Sequence, residues 1–313
     1  MRVLACPASL KGVLTAPAAA AALAEGVRAG GGDAVELPVA DGGEGTAAVL
    51  HAVLGGEWAS APVQDAFGAE REAEWLVLPD GTAVVEAAAA IPLDLQRLDP
   101  LAASSRGLGQ LLVAALSTSP PQLVVCLGGT ATMDAGAGLR EVVGVLPVPA
   151  RALCDVHTTL FDAPRIFGPQ KGASSADVEV LERRFAAMPE LAAVAELPGA
   201  GAAGGLGAAL AALGAELVPG ADWVLEAVGV RARLAAADLV VTGEGRVDAT
   251  TTEGKAPTAV VRAAAAGGVR CVVFGGVVET PLPDVDTVAL SGEPRHAAAD
   301  LRKLGRDLVA QSN

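Results

Sequence analysis

Short apolar runs alternate along this chain with longer Ala- and Leu-rich stretches of helical spacing, and glycine or proline punctuates the joins. Residues 1–6 are largely apolar up to Pro7 and predict a buried strand. Thr15 stands at an N-cap position, with Pro17 tolerated in the first turn, and helical spacing runs through Glu25 and Arg28. Gly30, Gly31 and Gly32 stop it, and residues 34–39 predict the next strand. This β-α-β order favours parallel pairing with a right-handed crossover. The period then changes. Residues 58–63, 72–78 and 82–86 read as short strands, and Pro79-Asp80-Gly81 predicts a tight turn with antiparallel pairing. A helix is expected over 108–116 and a strand over 123–127, followed by helices over 177–187 and 204–213. Strands over 238–242, 269–274 and 287–290 and a closing helix over 301–310 complete an α/β pattern.

Hydrophobic residues make up 52% of the 313 and charged residues 19%, enough to bury a core and unlike a disordered chain. Aromatics are only 3%, with no tyrosine, which leaves Ala, Val and Leu to build that core. The formal net charge of −14 repels phosphate backbones and anionic lipid, so nucleic acid and membrane are poor partners. A site for an anionic metabolite then needs basic residues placed locally against the overall charge. Cys6, Cys126, Cys154 and Cys271 are widely spaced without metal-ligand spacing, and read as reduced thiols of a cytoplasmic protein. No uninterrupted apolar stretch has the length of a membrane span, and the residues before Cys6 leave no room for a signal core.

Candidate chemistry lies in loops that combine glycine with an isolated charge, an arrangement in which backbone N–H groups and one side chain can approach a ligand. The first contains Ser9, Lys11 and Gly12; the second runs Asp41-Gly42-Gly43-Glu44-Gly45-Thr46. The third spans 128–138 and holds Thr130, Thr132 and Asp134; the fourth is Phe167-Gly168-Pro169-Gln170-Lys171-Gly172. The fifth is Thr242-Gly243-Glu244-Gly245-Arg246-Val247-Asp248, followed by Glu253-Gly254-Lys255-Ala256-Pro257. One such loop is ordinarily a turn, but their recurrence matches phosphoryl transfer, which needs cations and N–H dipoles for phosphates and carboxylates for magnesium or a proton. Gly254-Lys255 lacks the rest of a Walker A motif, and no G-x-S-x-G elbow or histidine metal spacing is present. Gly199, Gly201 and Gly204 match a dinucleotide fingerprint literally, but Pro198 precedes them and no clear strand leads in. They read as a helix-entry loop, with a cradle for nucleotide phosphates as the functional alternative.

Taken together and in this order, the loops resemble the bacterial glycerate kinase family. Residues 38–46, 167–173 and 242–248 carry that family's patterns almost unaltered. The resemblance implies two nested α/β domains, one Rossmann-like with a mostly parallel sheet and one with a mixed sheet, with a cleft between them. The corresponding boundaries are 1–57 plus about 235–313 for the first and about 58–234 for the second. It also implies ATP and Mg²⁺ as cofactors and D-glycerate as acceptor, with 2-phosphoglycerate favoured over 3-phosphoglycerate as product. Oligomeric state, homodimer or monomer, stays open. The chain departs from the family at Ala8, where Asp is usual, and at Leu10, Val13, Met133 and Thr250, and it is short between Leu139 and Cys154.

On that basis Lys11 and Arg246 are expected at the substrate carboxylate. Asp248 or Asp134 takes the hydroxyl proton, and sequence spacing does not choose between them. Asp41 and Glu44 are the expected magnesium ligands. Lys171 and Lys255 steady the transferring phosphoryl group, and Glu244 and the glycines 199, 201 and 204 approach the nucleotide. Two readings compete with catalysis by a kinase: a catalytically impaired ligand-binding relative, given Ala8 and the shortened segment, and, ranked last, an NAD-dependent dehydrogenase.

Overall fold

The computed structural model describes residues 1–248, 251 and 255–311. In chain order its strands are β1 (Arg2–Pro7), β2 (Asp33–Glu36), β3 (Glu57–Gln64), β4 (Glu70–Val77), β5 (Ala83–Glu86) and β6 (Leu123–Cys126), then β7 (Ala150–Cys154), β8 (Glu216–Pro219), β9 (Leu239–Val247), β10 (Arg270–Val278) and β11 (Asp286–Ala289). The chain divides into one unit of Met1–Asp41, Ala48–Leu54 and Ala221–Asn313, and a second of Gly42–Ala47 and Gly55–Gly220.

The first unit holds a five-stranded sheet in the order β11-β10-β9-β1-β2, parallel throughout. Its central strands are buried on both faces, as continuous apolar runs such as Val3-Leu4-Ala5-Cys6 require. Thr15 caps the helix Ala16–Ala29 as expected, its Oγ1 accepting the Ala18 N–H at 3.3 Å. That helix packs against Ala297–Ala310 through glycines. A Cβ on Gly26 would lie 2.0 Å from the Arg302 carbonyl oxygen, and one on Gly305 2.5 Å from that of Leu23. The backbones therefore nearly touch, and Leu23, Val27, Leu301, Leu304 and Leu308 close the core around them with Phe274.

β9 and β10 run further than the apolar pattern predicts. Glu244, Arg246 and Val247 pair with Gly275, Val277 and Val278, so the segment expected to be a loop after a strand is itself strand up to Val247. Glycines permit the close approach. A Cβ on Gly243 would meet the Phe274 oxygen at 2.1 Å, and one on Gly276 the Gly245 oxygen at 2.7 Å.

The second unit holds a six-stranded sheet, β3-β4-β5-β6-β7-β8. The first two pairings are antiparallel and the rest parallel, the mixed sheet the sequence implies. Gly81 (φ +86°) closes the predicted turn, and the Asp80 carboxylate accepts the Thr82 N–H at 2.9 Å. The helix Arg106–Ser117 buries Leu108, Leu111, Leu112 and Ala115. Ala202–Ala212 opens irregularly, with Ala203, Gly204 and Gly205 left-handed. Helices Thr46–Leu54, Ala137–Val142, Gly220–Ala227 and Ala256–Ala266, and strands β7 and β8, go unread in the sequence because short Ala/Gly-rich stretches fit either period.

Candidate functional site

The carboxyl ends of β1, β9, β10 and β11 in the first unit enclose a cavity of about 620 Å³. Open parallel sheets take ligands at this edge, where the strand order switches direction, as it does here between β1 and β9. Reciprocal backbone bonds of 2.9 Å between Leu10 and Leu14 close a turn after β1 with Gly12 (φ +74°) inside it, and this turn presents Lys11. Gly245 lets β9 pass beside it: a Cβ there would stand 3.4 Å from both Leu10 Cα and Lys11 N. Arg246, Asp248, Asp41 and Lys255 add to the charged lining with Glu244, and Glu293 and Asp300 line it as well.

Glu244 organises these groups. Its Oε1 accepts the Thr251 hydroxyl at 2.8 Å and lies 3.8 Å from Lys255 Nζ. The Thr251 Oγ1 in turn accepts the Asp248 backbone N–H at 3.1 Å. Burial pushes the Glu244 carboxyl above its ordinary value, and Asp41 and Asp248 push the same way; Lys255 and the Thr251 hydroxyl oppose them. Lys255 is the N-cap of the helix Ala256–Ala266, so a positive helix end accompanies its ammonium, a setting that favours an anion. Arg246 bonds Glu279 through an exposed pair, which holds it by about 0–1 kcal/mol and leaves it available to a ligand.

The other expected site residues belong to the second unit. Lys171 is 4% exposed, and its Nζ donates to the Thr132 carbonyl at 2.8 Å and to Thr130 Oγ1 at 3.3 Å. Burial brings its ammonium down to about 7, against the opposing pull of Asp134 and Asp155. Asp134 Oδ2 accepts the Ser105 N–H and hydroxyl at 2.8 Å each and the Gly138 N–H at 3.1 Å, while Oδ1 accepts the Gly136 N–H at 3.0 Å. This carboxylate thereby ties the loop after β6 to the start of the helix Arg106–Ser117.

Glu44 is exposed, and a Cβ on Gly129 would lie 3.1 Å from its Oε2. Asp41 and Glu44 thus fall in different units. Among the described residues no group of three or more His, Cys, Asp or Glu side chains could hold a metal ion. The donor chemistry of Asp41 still suits Mg²⁺, a hard cation that keeps water and phosphate oxygens and needs one or two carboxylates. Gly199, Gly201 and Gly204 are buried, and Cβ atoms there would meet Cys154 Sγ at 2.8 Å, Thr159 O at 2.3 Å and Thr132 O at 2.0 Å. The protein's own atoms fill those positions, which makes packing the reason for glycine there.

Thr251 and Ser105 carry bonds at these sites that the sequence did not single out. The only signal was their place beside family-like patterns. Thr250, Glu253 and Gly254 lie outside the described residues.

A sequence profile of the glycerate kinase family matches residues 3–150 and 147–293. The chain belongs to this family. Membership of the glycerate kinase family makes it a phosphotransferase. Glycerate 2-kinase of Escherichia coli K12 is 36% identical over 84% of this chain and 82% of its own length. Glycerate kinase of Bacillus subtilis 168 is 33% identical over 99% and 97%. The crystal structure of a glycerate kinase 2 from Salmonella typhimurium LT2 aligns with a TM-score of 0.86 at 29% identity, covering 100% of this chain and 98% of that one. The two glycerate kinase family matches meet at residues 147–150, within the stretch that the sequence marks as short. There the structure joins the helix Ala137–Val142 to β7 through residues 143–149 alone.

Proposed function

We propose that this protein transfers the terminal phosphoryl group of ATP to a hydroxyl of D-glycerate, giving phosphoglycerate and ADP. One observation carries the reading: in a chain of net charge −14, Lys11, Arg246 and Lys255 converge on a single cavity with Asp41, Glu244 and Asp248. A cavity for a neutral ligand would not gather two of the chain's four lysines and an arginine, whereas a carboxylate and a phosphate leaving one oxygen for another require them.

Within this reading Lys11 and Arg246 hold the glycerate carboxylate, Arg246 exchanging its exposed Glu279 partner for the substrate. Lys255 and the helix N-terminus behind it face the phosphates. Asp248 accepts the hydroxyl proton. The commitment of Asp134 to Ser105, Gly136 and Gly138 favours Asp248 over it for that role. Glu244 positions Lys255 and, through Thr251, the backbone at Asp248. Magnesium, brought with the nucleotide, would neutralise phosphate charge, and Asp41 is the carboxylate of this cavity best suited to hold it. The name of the E. coli relative, glycerate 2-kinase, supports transfer to the 2-hydroxyl. The cysteines, none in a disulfide, accord with a cytoplasmic setting.

The test is incubation with ATP, Mg²⁺ and D-glycerate, reading ADP release and identifying the product by ³¹P and ¹³C NMR. ADP release that does not depend on glycerate would overturn the proposal, and a product phosphorylated at the 3-position would overturn the choice of hydroxyl.

A further inference from the structure

We propose that Lys171 is a positioning residue: its buried ammonium clamps the segment 130–134 and, through Gly128 and Gly129, sets the placement of Gly43 and Glu44. The clamp is made from both sides. Lys171 Nζ binds the Thr132 carbonyl at 2.8 Å and the Thr130 hydroxyl at 3.3 Å. Asp134, two residues on, is fixed by Ser105 at 2.8 Å and adds its charge to the ammonium. The path onward is backbone against backbone. A Cβ on Gly128 would stand 2.9 Å from Gly43 Cα, and one on Gly129 3.1 Å from Glu44 Oε2. Gly43 stands two residues after Asp41, which lines the charged cavity.

A lysine that bound phosphate directly would keep its ammonium open to solvent. This one is 4% exposed and donates to protein acceptors. Asp134, after β6, and Asp155, after β7, are the charged groups acting on it, and burial brings its titration to about 7. Releasing the segment returns the ammonium to water, where its ordinary value is 10.5, so the closed clamp gains stability over the opened one as pH rises above about 7 and is flat below.

This deepens the kinase reading and rests on it for the link to turnover, but the clamp itself can be measured without turnover. Hydrogen–deuterium exchange of the wild-type protein, corrected for intrinsic pH dependence, is followed in peptides spanning 128–136 and, as a reference, 108–116. A gain of protection in 128–136 between about pH 7 and pH 8.5, with 108–116 unchanged, is the expected result. Lys171→Met is expected to lack protection in 128–136 at every pH, and Lys171→Arg to restore part of it. In the kinase assay Lys171→Met should lower kcat by about ten- to a hundredfold, with KM for ATP within about twofold of wild type. A pH-independent exchange pattern in the wild type overturns the clamp. So does a raised KM for ATP with the segment still protected, which would make Lys171 a phosphate ligand. An inactive wild type with the expected exchange pattern would overturn the kinase reading and leave the clamp standing.

Discussion

Glu244 meets Thr251 and Lys255 at one carboxylate oxygen, with Asp41 and Asp248 near enough to raise its proton affinity. Such a cluster makes individual substitutions informative. Asp248→Asn keeps size and shape while removing the proposed proton acceptor, and kcat should fall by at least about a hundredfold with little change in melting temperature. Near-normal turnover would remove Asp248 from that role. Lys171 supplies a prediction about stability. Its ordinary value is 10.5 and burial lowers it to about 7, so between those limits the unfolded chain holds a proton that the folded one has released. Stability from this group therefore rises with pH above about 7, by at most about 1.4 kcal/mol per unit, and is flat below. Denaturant titrations of wild type and Lys171→Met should diverge in favour of the wild type as pH rises from about 7 to 9; parallel curves would contradict the assignment. Burial thus works against the ammonium that the clamp uses, and that cost falls on stability. Glycine-flanked charges such as Lys11, Asp41 and Glu244 were legible in the sequence because isolated charges in apolar surroundings stand out. Thr251 and Ser105 were not, because a hydroxyl gains its meaning from the carboxylate that folding brings beside it.

At the scale of elements, glycine decides how closely neighbours approach. Gly26→Ala places a methyl against the Arg302 carbonyl, and the helices Ala16–Ala29 and Ala297–Ala310 must separate to admit it. A destabilisation of about 1–3 kcal/mol is expected, read as a lower denaturation midpoint. Gly12→Ala meets no atom within 4 Å, but its φ of +74° is strained for alanine; it should cost about 1 kcal/mol and disturb the Lys11 turn rather than the core. The sequence read the β-α-β start, the antiparallel hairpin and the cap at Thr15, where period and turn chemistry agree. It read 242–248 as a loop because glycines and charges interrupt the apolar run. The structure keeps β9 extended to Val247 because β10 supplies a partner of equal reach, and Gly243 and Gly276 allow the two to meet. The helix Ala256–Ala266 was missed for the opposite reason: alanine-rich sequence carries little periodic contrast, and Leu234, Val260 and the sheet decide its buried face.

For the whole molecule, composition set strict terms. With 3% aromatics and 52% hydrophobic residues, the cores are filled largely by Ala, Val and Leu, and large side chains such as Phe185 and Phe274 occupy single fully buried positions. The four cysteines form no disulfide, Cys6, Cys126 and Cys154 being buried and Cys271 half-buried. Burial holds the thiols of Cys154 and Cys271 up at about 12. A thiol reagent at neutral pH should therefore leave the native protein nearly unmodified and reach all four cysteines only after unfolding, a count that mass spectrometry reads directly. Fast modification of the native protein at Cys6 or Cys154 would contradict the packing. The sequence alone determined the α/β class, the order of the patterned loops and hence the family, because local period, turn residues and motif order are properties of the chain taken in series. Tertiary structure alone decided which charges share a cavity and which are locked inside. Lys11, Asp41, Glu244, Arg246, Asp248 and Lys255 meet because parallel strands deliver their carboxyl ends to one edge, while burial turns Lys171 inward and fills the space beside Gly199, Gly201 and Gly204 with the protein's own atoms.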